Sequence, residues 1–264
     1  MPIGPARMPL MDHLGELRRR LTIIVVAVVV CAVAVYMATP TIIDIVIDPI
    51  RGFLPNGGKL AIMSSLGGFT IRFKVACFAA VIITCPIIIW EVLAFFLPAL
   101  KPNEQRWVVP TVGAMVALFF LGMVFCYFVI LPAAFGWMID QSSAFATVLP
   151  NAEDYISIIM LLEIGFGIAF QVPLVIFYLS ILHLVTYKTF RENWRFIYVG
   201  LLVFSAVVTP DASPVTMFFM FAALVMLYEA SLAVARVVLV RQDGPESLRW
   251  TREDYELHAE RADD

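Results

Sequence analysis

The sequence predicts an all-α, polytopic membrane protein with six transmembrane helices and both termini on the cytoplasmic side. Three observations carry that expectation. The chain is 61% hydrophobic and only 15% charged, where a soluble domain of this size carries about 25% charged residues. Six apolar runs, residues 21–38, 69–96, 108–131, 155–184, 196–208 and 214–234, are separated by polar loops, and a helix needs roughly 20 apolar residues to cross a bilayer. Basic residues gather in alternate loops: fourteen of the eighteen fall on the side that holds both termini. An excess of Lys and Arg marks the cytoplasmic side.

The chain starts with an amphipathic segment. Leu10, Leu14, Leu17 and Leu21 recur at helical spacing, and Asp12, Glu16, Arg18, Arg19 and Arg20 occupy the other side. That pattern suits a helix lying on a membrane surface and leading into a span. Glu16 inside an arginine cluster has two readings. It pairs with Arg20 one turn on, an i,i+4 contact of roughly 0.2–0.5 kcal/mol, or it is kept to receive a positive group from another molecule. The first span follows at 21–38. Ala32-Val33-Ala34 has the look of a signal-peptide cleavage site, but the apolar run continues past it to Ala38, so the segment reads as a permanent span.

The second span, 69–96, contains Pro86 and carries Glu91 near its cytoplasmic end. The loop after it has Pro98 and Pro102, which limit its conformations, so Glu104 takes a defined place on the membrane face that also holds Glu16. Two such carboxylates suit a ligand with two adjacent guanidiniums, through charge-assisted and often bidentate bonds. The plainer reading pairs each acid with an arginine of its own.

The third span covers 108–131, with 132–154 outside. The fourth, 155–184, holds Pro173, Glu163 and Gln171. Glu163 lies about nine residues, or ~13 Å of helix, into the run, too deep to snorkel to water. Ionisable residues in spans are costly and point to function. The fifth run, 196–208, is too short to cross upright. Thr209-Pro210-Asp211-Ala212-Ser213-Pro214 turns it into the sixth, so the pair forms a re-entrant hairpin or two spans in thinned bilayer. Glu229, near the end of the sixth run, and Glu91 are expected to reach headgroup water or Arg236. Residues 1–240 form the membrane domain. From 241 to 264 the chain holds four arginines against eight acids and includes Gly244-Pro245, the composition of a mobile or weakly helical cytoplasmic tail.

Several classes of function lack support. There is no basic excess for nucleic acid. Cys31, Cys77, Cys85 and Cys126 all fall inside spans, where they act as small apolar side chains, and no CxxC or metal-ligand spacing exists. Gly57-Gly58-Lys59 is not a phosphate loop, since Leu60 follows the lysine. No nucleophile–base pair, cofactor site or nucleotide site is visible, so no enzymatic activity and no cofactor are expected. A solute transporter or ion channel remains the competing class, but it predicts paired broken helices in two repeated halves, and no internal repeat is found.

Several motifs in order, HLGELRRRL at 13–21, IDPIRGFLP at 47–55, AFFLPALKPNEQR at 94–106, FQVPL at 170–174 and Thr209-Pro210-Asp211, resemble the TatC family. This family supplies the receptor subunit of the twin-arginine protein translocase. The resemblance implies a curved, cup-like bundle of six helices with short fifth and sixth members. It implies binding of folded precursor proteins through Arg-Arg signal peptides, with Glu16 and Glu104 as guanidinium acceptors and Phe95 and Arg18 on the same surface. It places Pro49 and Asp211 in structural loops, and Gln171 and Glu163 as intramembrane polar groups that meet partners. Single-span partners similar to TatA and TatB, further copies of the chain, the prokaryotic inner membrane and a proton-gradient drive complete the expectation. The chain departs from the family where many relatives have a glutamate and Gln171 stands here. Glu163 does not replace that acid: eight residues are about 12 Å of rise and roughly 80° around the helix.

Overall fold

The computed structural model describes residues 10–54, 60–96, 108–143, 149–181, 185–209, 214–250 and 254. These are helical throughout, apart from turns and one isolated β-bridge. Lipid offers no partner for backbone N–H and C=O groups, so apolar runs of this length satisfy them internally as helices. Among the described residues, five helical segments are long and apolar enough to cross a membrane, and a sixth, Trp194–Val208, is shorter.

Helix α1 (Leu10–Val35) has no break between its amphipathic start and its apolar body. A 3-10 turn at Tyr36–Ala38 leads into α2 (Thr39–Ile47), and a second, Asp48–Phe53, follows. The helical segment therefore runs to Phe53, beyond the expected end at Ala38. Pro40 does not stop it because it falls in the first turn of α2, where its missing N–H is not needed. Helix α3 (Gly67–Phe96) runs unbroken through Pro86. Helix α4 (Val108–Phe125), a π-helical turn at Cys126–Ile130 and α5 (Leu131–Ser143) make one continuous rod.

Helix α6 (Ala152–Ala169) and α7 (Val172–Ile181) divide the fourth apolar run. Pro173 explains the division: it lacks a donor for the carbonyl four residues back and its ring clashes there, at Ala169. Next come α8 (Tyr187–Glu192), α9 (Trp194–Val208) and α10 (Pro214–Asp243). At 15 residues, α9 is ~22 Å long, short for a bilayer.

The sixth helix corrects the expectation that it is short, since α10 has 30 residues. No Gly or Pro interrupts 215–243, and the helix ends at Gly244, whose φ of 85° lies in the left-handed region. The first part of the segment read as a tail is thus helical to Asp243. A 3-10 turn, Pro245–Arg249, packs back against α10 and buries Ser247.

Two compact units are distinguished, one built from residues 1–120 and 142–160, the other from 121–141 and 161–264. In the first, α1 lies along α3 and α2 packs on the same helix. Ala61 and Ala152 tie the chain before α3 to the start of α6, with Ala152 N donating to Ala61 O at 2.8 Å. Lys74 adds bonds to Glu153 and Ser157 at 3.1 and 3.2 Å. In the second unit, α10 packs against α7 and α9. Met220, Leu224, Tyr228, Leu232, Ala235 and Leu239 form its fully buried stripe at helical spacing. Gly122 meets the backbone of Phe166 there: a Cβ at 122 would lie 2.6 Å from the Phe166 carbonyl oxygen.

Candidate functional site

The charged cluster on the first unit is built from α1 and α3. The run of arginines continues α1 as a helix, which sets Glu16 and Arg20 one turn apart on one face. Arg20 Nε and Nη2 both donate to Glu16 Oε1, the former at 3.1 Å, and Nη1 donates to Glu91 Oε2 at 3.1 Å. The three side chains are 23%, 22% and 13% exposed for Glu16, Arg20 and Glu91. One guanidinium is thus shared by two carboxylates. The pairing foreseen between Glu16 and Arg20 is present. Glu91, expected to reach headgroup water or Arg236, instead bonds Arg20. The signal lay in position: Arg20 stands directly before one apolar run and Glu91 near the end of the next, and helices packed side by side in opposite directions bring those ends together.

Each acid gives one oxygen to Arg20, and among the described residues no bond reaches the other oxygen of either. The cluster carries one more negative than positive charge. Arg18 is exposed on α1, and its carbonyl accepts a bond from Thr22 Oγ1 at 2.8 Å. Phe95 is half-buried one helical turn beyond Glu91. Glu104 and Asp211 lie outside the described residues. Pro49 stands in the first turn of Asp48–Phe53, beside the fully buried Ile50, and Arg51 closes that turn onto Asp44 at 2.6 Å.

The intramembrane polar groups sit on α6 and at its junction with α7. Gln171 Nε2 donates to the Gly167 carbonyl at 3.3 Å, where Pro173 opens the helix. Glu163 is 4% exposed, and its Oε1 has no hydrogen-bond partner among the described residues. No bond joins the two residues, in keeping with their different helical faces.

Glu229 also corrects its expected partner. Arg191, not Arg236, donates to both its oxygens, at 3.2 and 2.9 Å, and the Tyr198 hydroxyl donates at 3.0 Å. Tyr187 accepts from Arg191 Nε at 3.2 Å. That hydrogen bond is the largest influence raising the Arg191 pKa, with Glu229 adding to it. With Tyr228 bonded to the Phe190 carbonyl at 3.0 Å, these contacts fasten α8 and α9 to α10. Among the described residues no group of three His, Cys, Asp or Glu is placed to hold a metal ion.

Known proteins share this architecture. The profile of the family described as Sec-independent protein translocase protein (TatC) matches residues 12–222. The TatC protein of Deinococcus radiodurans is 31% identical over 238 residues, which make up 89% of this chain and 88% of that protein. The TatC protein of Escherichia coli K12 is 32% identical over 202 residues, covering 76% of this chain and 78% of its own length. A crystal structure of a twin arginine translocase receptor, TatC, superposes with a TM-score of 0.72 at 29% identity, over 85% of this chain and 98% of that one.

Proposed function

This chain belongs to the TatC family and is a multi-pass membrane component of the Sec-independent protein translocase, and from that premise we propose that it is the subunit that receives Arg-Arg signal peptides. The observation that carries the proposal is the shared guanidinium: among the described residues, two partly buried carboxylates, Glu16 and Glu91, are paired with one cation, Arg20. A second guanidinium entering beside Arg20 would neutralise the cluster and use the remaining carboxylate oxygens. An arginine fork bonds a carboxylate in two places, which a lysine ammonium cannot reproduce. That difference gives a physical basis for choosing Arg-Arg over Lys-Lys. Glu104 supplies the acceptor for the adjacent arginine, Arg18 steers the peptide, and half-buried Phe95 contacts its apolar part.

The distribution of Lys and Arg supports a cytoplasmic position for this surface and both termini, and kinship with the TatC family supports the inner membrane of a prokaryote as its place. Folded precursors dock there by their signals. The docked receptor then nucleates a translocation complex driven by the proton gradient. Single-span partners of the TatA and TatB kind, and further copies of this chain, assemble with it, and Gln171 offers them both a donor and an acceptor within the bilayer.

Photocrosslinking tests the receptor reading. Probes replacing Arg19, one turn from Glu16 on the same side of α1, and Asn103, next to Glu104 in sequence, are expected to capture an Arg-Arg signal peptide and to leave its Lys-Lys counterpart free. Equal capture of the two peptides would refute the reading.

A further inference from the structure

The second unit carries a groove lined by none of the residues of the Glu16–Arg20–Glu91 cluster. It has a volume of about 570 Å³ and is lined by Arg191, Arg236 and Arg241 and by Ala233, Val237 and Val240. Five of these six residues recur along one face of α10, at 233, 236, 237, 240 and 241. Arg191 is already committed to Glu229 and Tyr187. Arg236 and Arg241 are exposed, and no described acid forms an ion pair with either. The groove therefore presents two unneutralised guanidiniums above an apolar floor.

Its place in the fold restricts the occupant. The apolar stretch of α10 that suits a membrane ends at Arg241, so the arginines stand where hydrocarbon gives way to headgroups. Val234 and Val237, 54% and 52% exposed, continue the outward apolar surface into the groove. Arginine stems can lie along such a surface while the guanidinium reaches phosphate. A small soluble anion would gain nothing from the valines, and an apolar ligand would leave the charges unanswered. We infer that this groove binds the headgroup of an anionic phospholipid, with Arg236 and Arg241 on its phosphate and the acyl chains along Val237 and Val240. Basic pockets beside transmembrane helices at this level recognise anionic headgroups by the same combination.

Native mass spectrometry of the full-length protein in detergent tests this, with added phosphatidylglycerol or phosphatidylcholine as the probe. Wild-type protein should retain phosphatidylglycerol preferentially. Removing a juxtamembrane arginine should weaken retention about fivefold, so R236Q/R241Q should lose roughly 25-fold. R236K/R241K should remain within about threefold of wild type, and R195Q, outside the groove, should not change it. Equal retention of the two lipids by wild type, or unchanged retention by R236Q/R241Q, would overturn the assignment. A chain ending at Trp250 should bind as the full chain does. A tenfold gain on that truncation would identify the acidic segment beyond 250 as the native occupant and would also overturn it.

Discussion

Changing Glu16 to Gln isolates what the carboxylate does for a ligand from what it does for the fold. In the protein itself the loss is small. Arg20 keeps its bond to Glu91 at 3.1 Å, so its charge stays compensated. What disappears is an i,i+4 pair, whose contribution is about 0.3–0.5 kcal/mol. A bound guanidinium loses more, because a hydrogen bond to a charged group contributes about 1.5–3 kcal/mol, or roughly ten- to a hundredfold in affinity. Glu16→Gln should therefore leave the melting temperature nearly unchanged and weaken an Arg-Arg signal peptide at least tenfold. Fluorescence anisotropy with labelled Arg-Arg and Lys-Lys peptides measures both arms of a double-mutant cycle. The losses from Glu16→Gln and from Arg→Lys in the peptide should overlap rather than add, since both remove one contact. Glu91→Gln should act in the same direction but more weakly, by about fivefold at most, because it leaves Arg20 wholly to Glu16 and reduces the negative charge on offer. Zero coupling at Glu16 and at Glu104 alike would refute guanidinium recognition by these acids.

Other consequences are open to measurement. Gly122→Ala should cost about 1–3 kcal/mol, since its Cβ would meet the Phe166 backbone at 2.6 Å, whereas Gly200→Ala, with nothing within 4 Å, should be tolerated; equal melting temperatures for the two would contradict the close helix approach. Glu163→Leu should raise the melting temperature, because a buried carboxyl group whose Oε1 has no hydrogen-bond partner among the described residues costs about 1–3 kcal/mol; loss of export at a normal protein level would instead give Glu163 a part in transport. Gln171→Leu should reduce crosslinking to single-span partners more than it reduces protein level, and a collapse in level would assign Gln171 to internal packing. Cysteines at exposed Ser143 and exposed Glu246 should react with an impermeant reagent from outside and only after lysis, respectively; Ser247, at 1% exposure, would be a poor reporter. Labelling at position 246 in intact cells would reverse the orientation.

The spans were legible in the sequence because lipid imposes a simple rule: a long apolar run satisfies its own backbone as a helix. The short fifth helix, the amphipathic start of α1 and the Glu16–Arg20 pair follow from spacing within a single segment. The motifs from His13 to Asp211 identified the family for the same reason, since each can be read locally. Span ends were less visible where helices outrun their apolar core. The charged turns of α10 continue to Asp243 because only Gly244 offers the backbone a left-handed stop, and α2 continues past Ala38 because Pro40 starts a helix as easily as it ends one.

Tertiary packing alone decided the partners of the acids. Glu91 and Glu229 were visible as costly charges at span ends; position along neighbouring spans narrowed the partner of Glu91 to the arginines before the first run, but only packing selected Arg20, 71 residues away, and nothing along the chain selects Arg191, 38 residues from Glu229. A transmembrane helix that is apolar all round has no sequence signature for which face meets which neighbour, so the stripe from Met220 to Leu239 and the contact at Gly122 emerge only once helices are packed. Charges buried at such contacts must find whatever partner the packing brings within about 3 Å, and that choice is made by the geometry of neighbouring helices rather than by the order of residues.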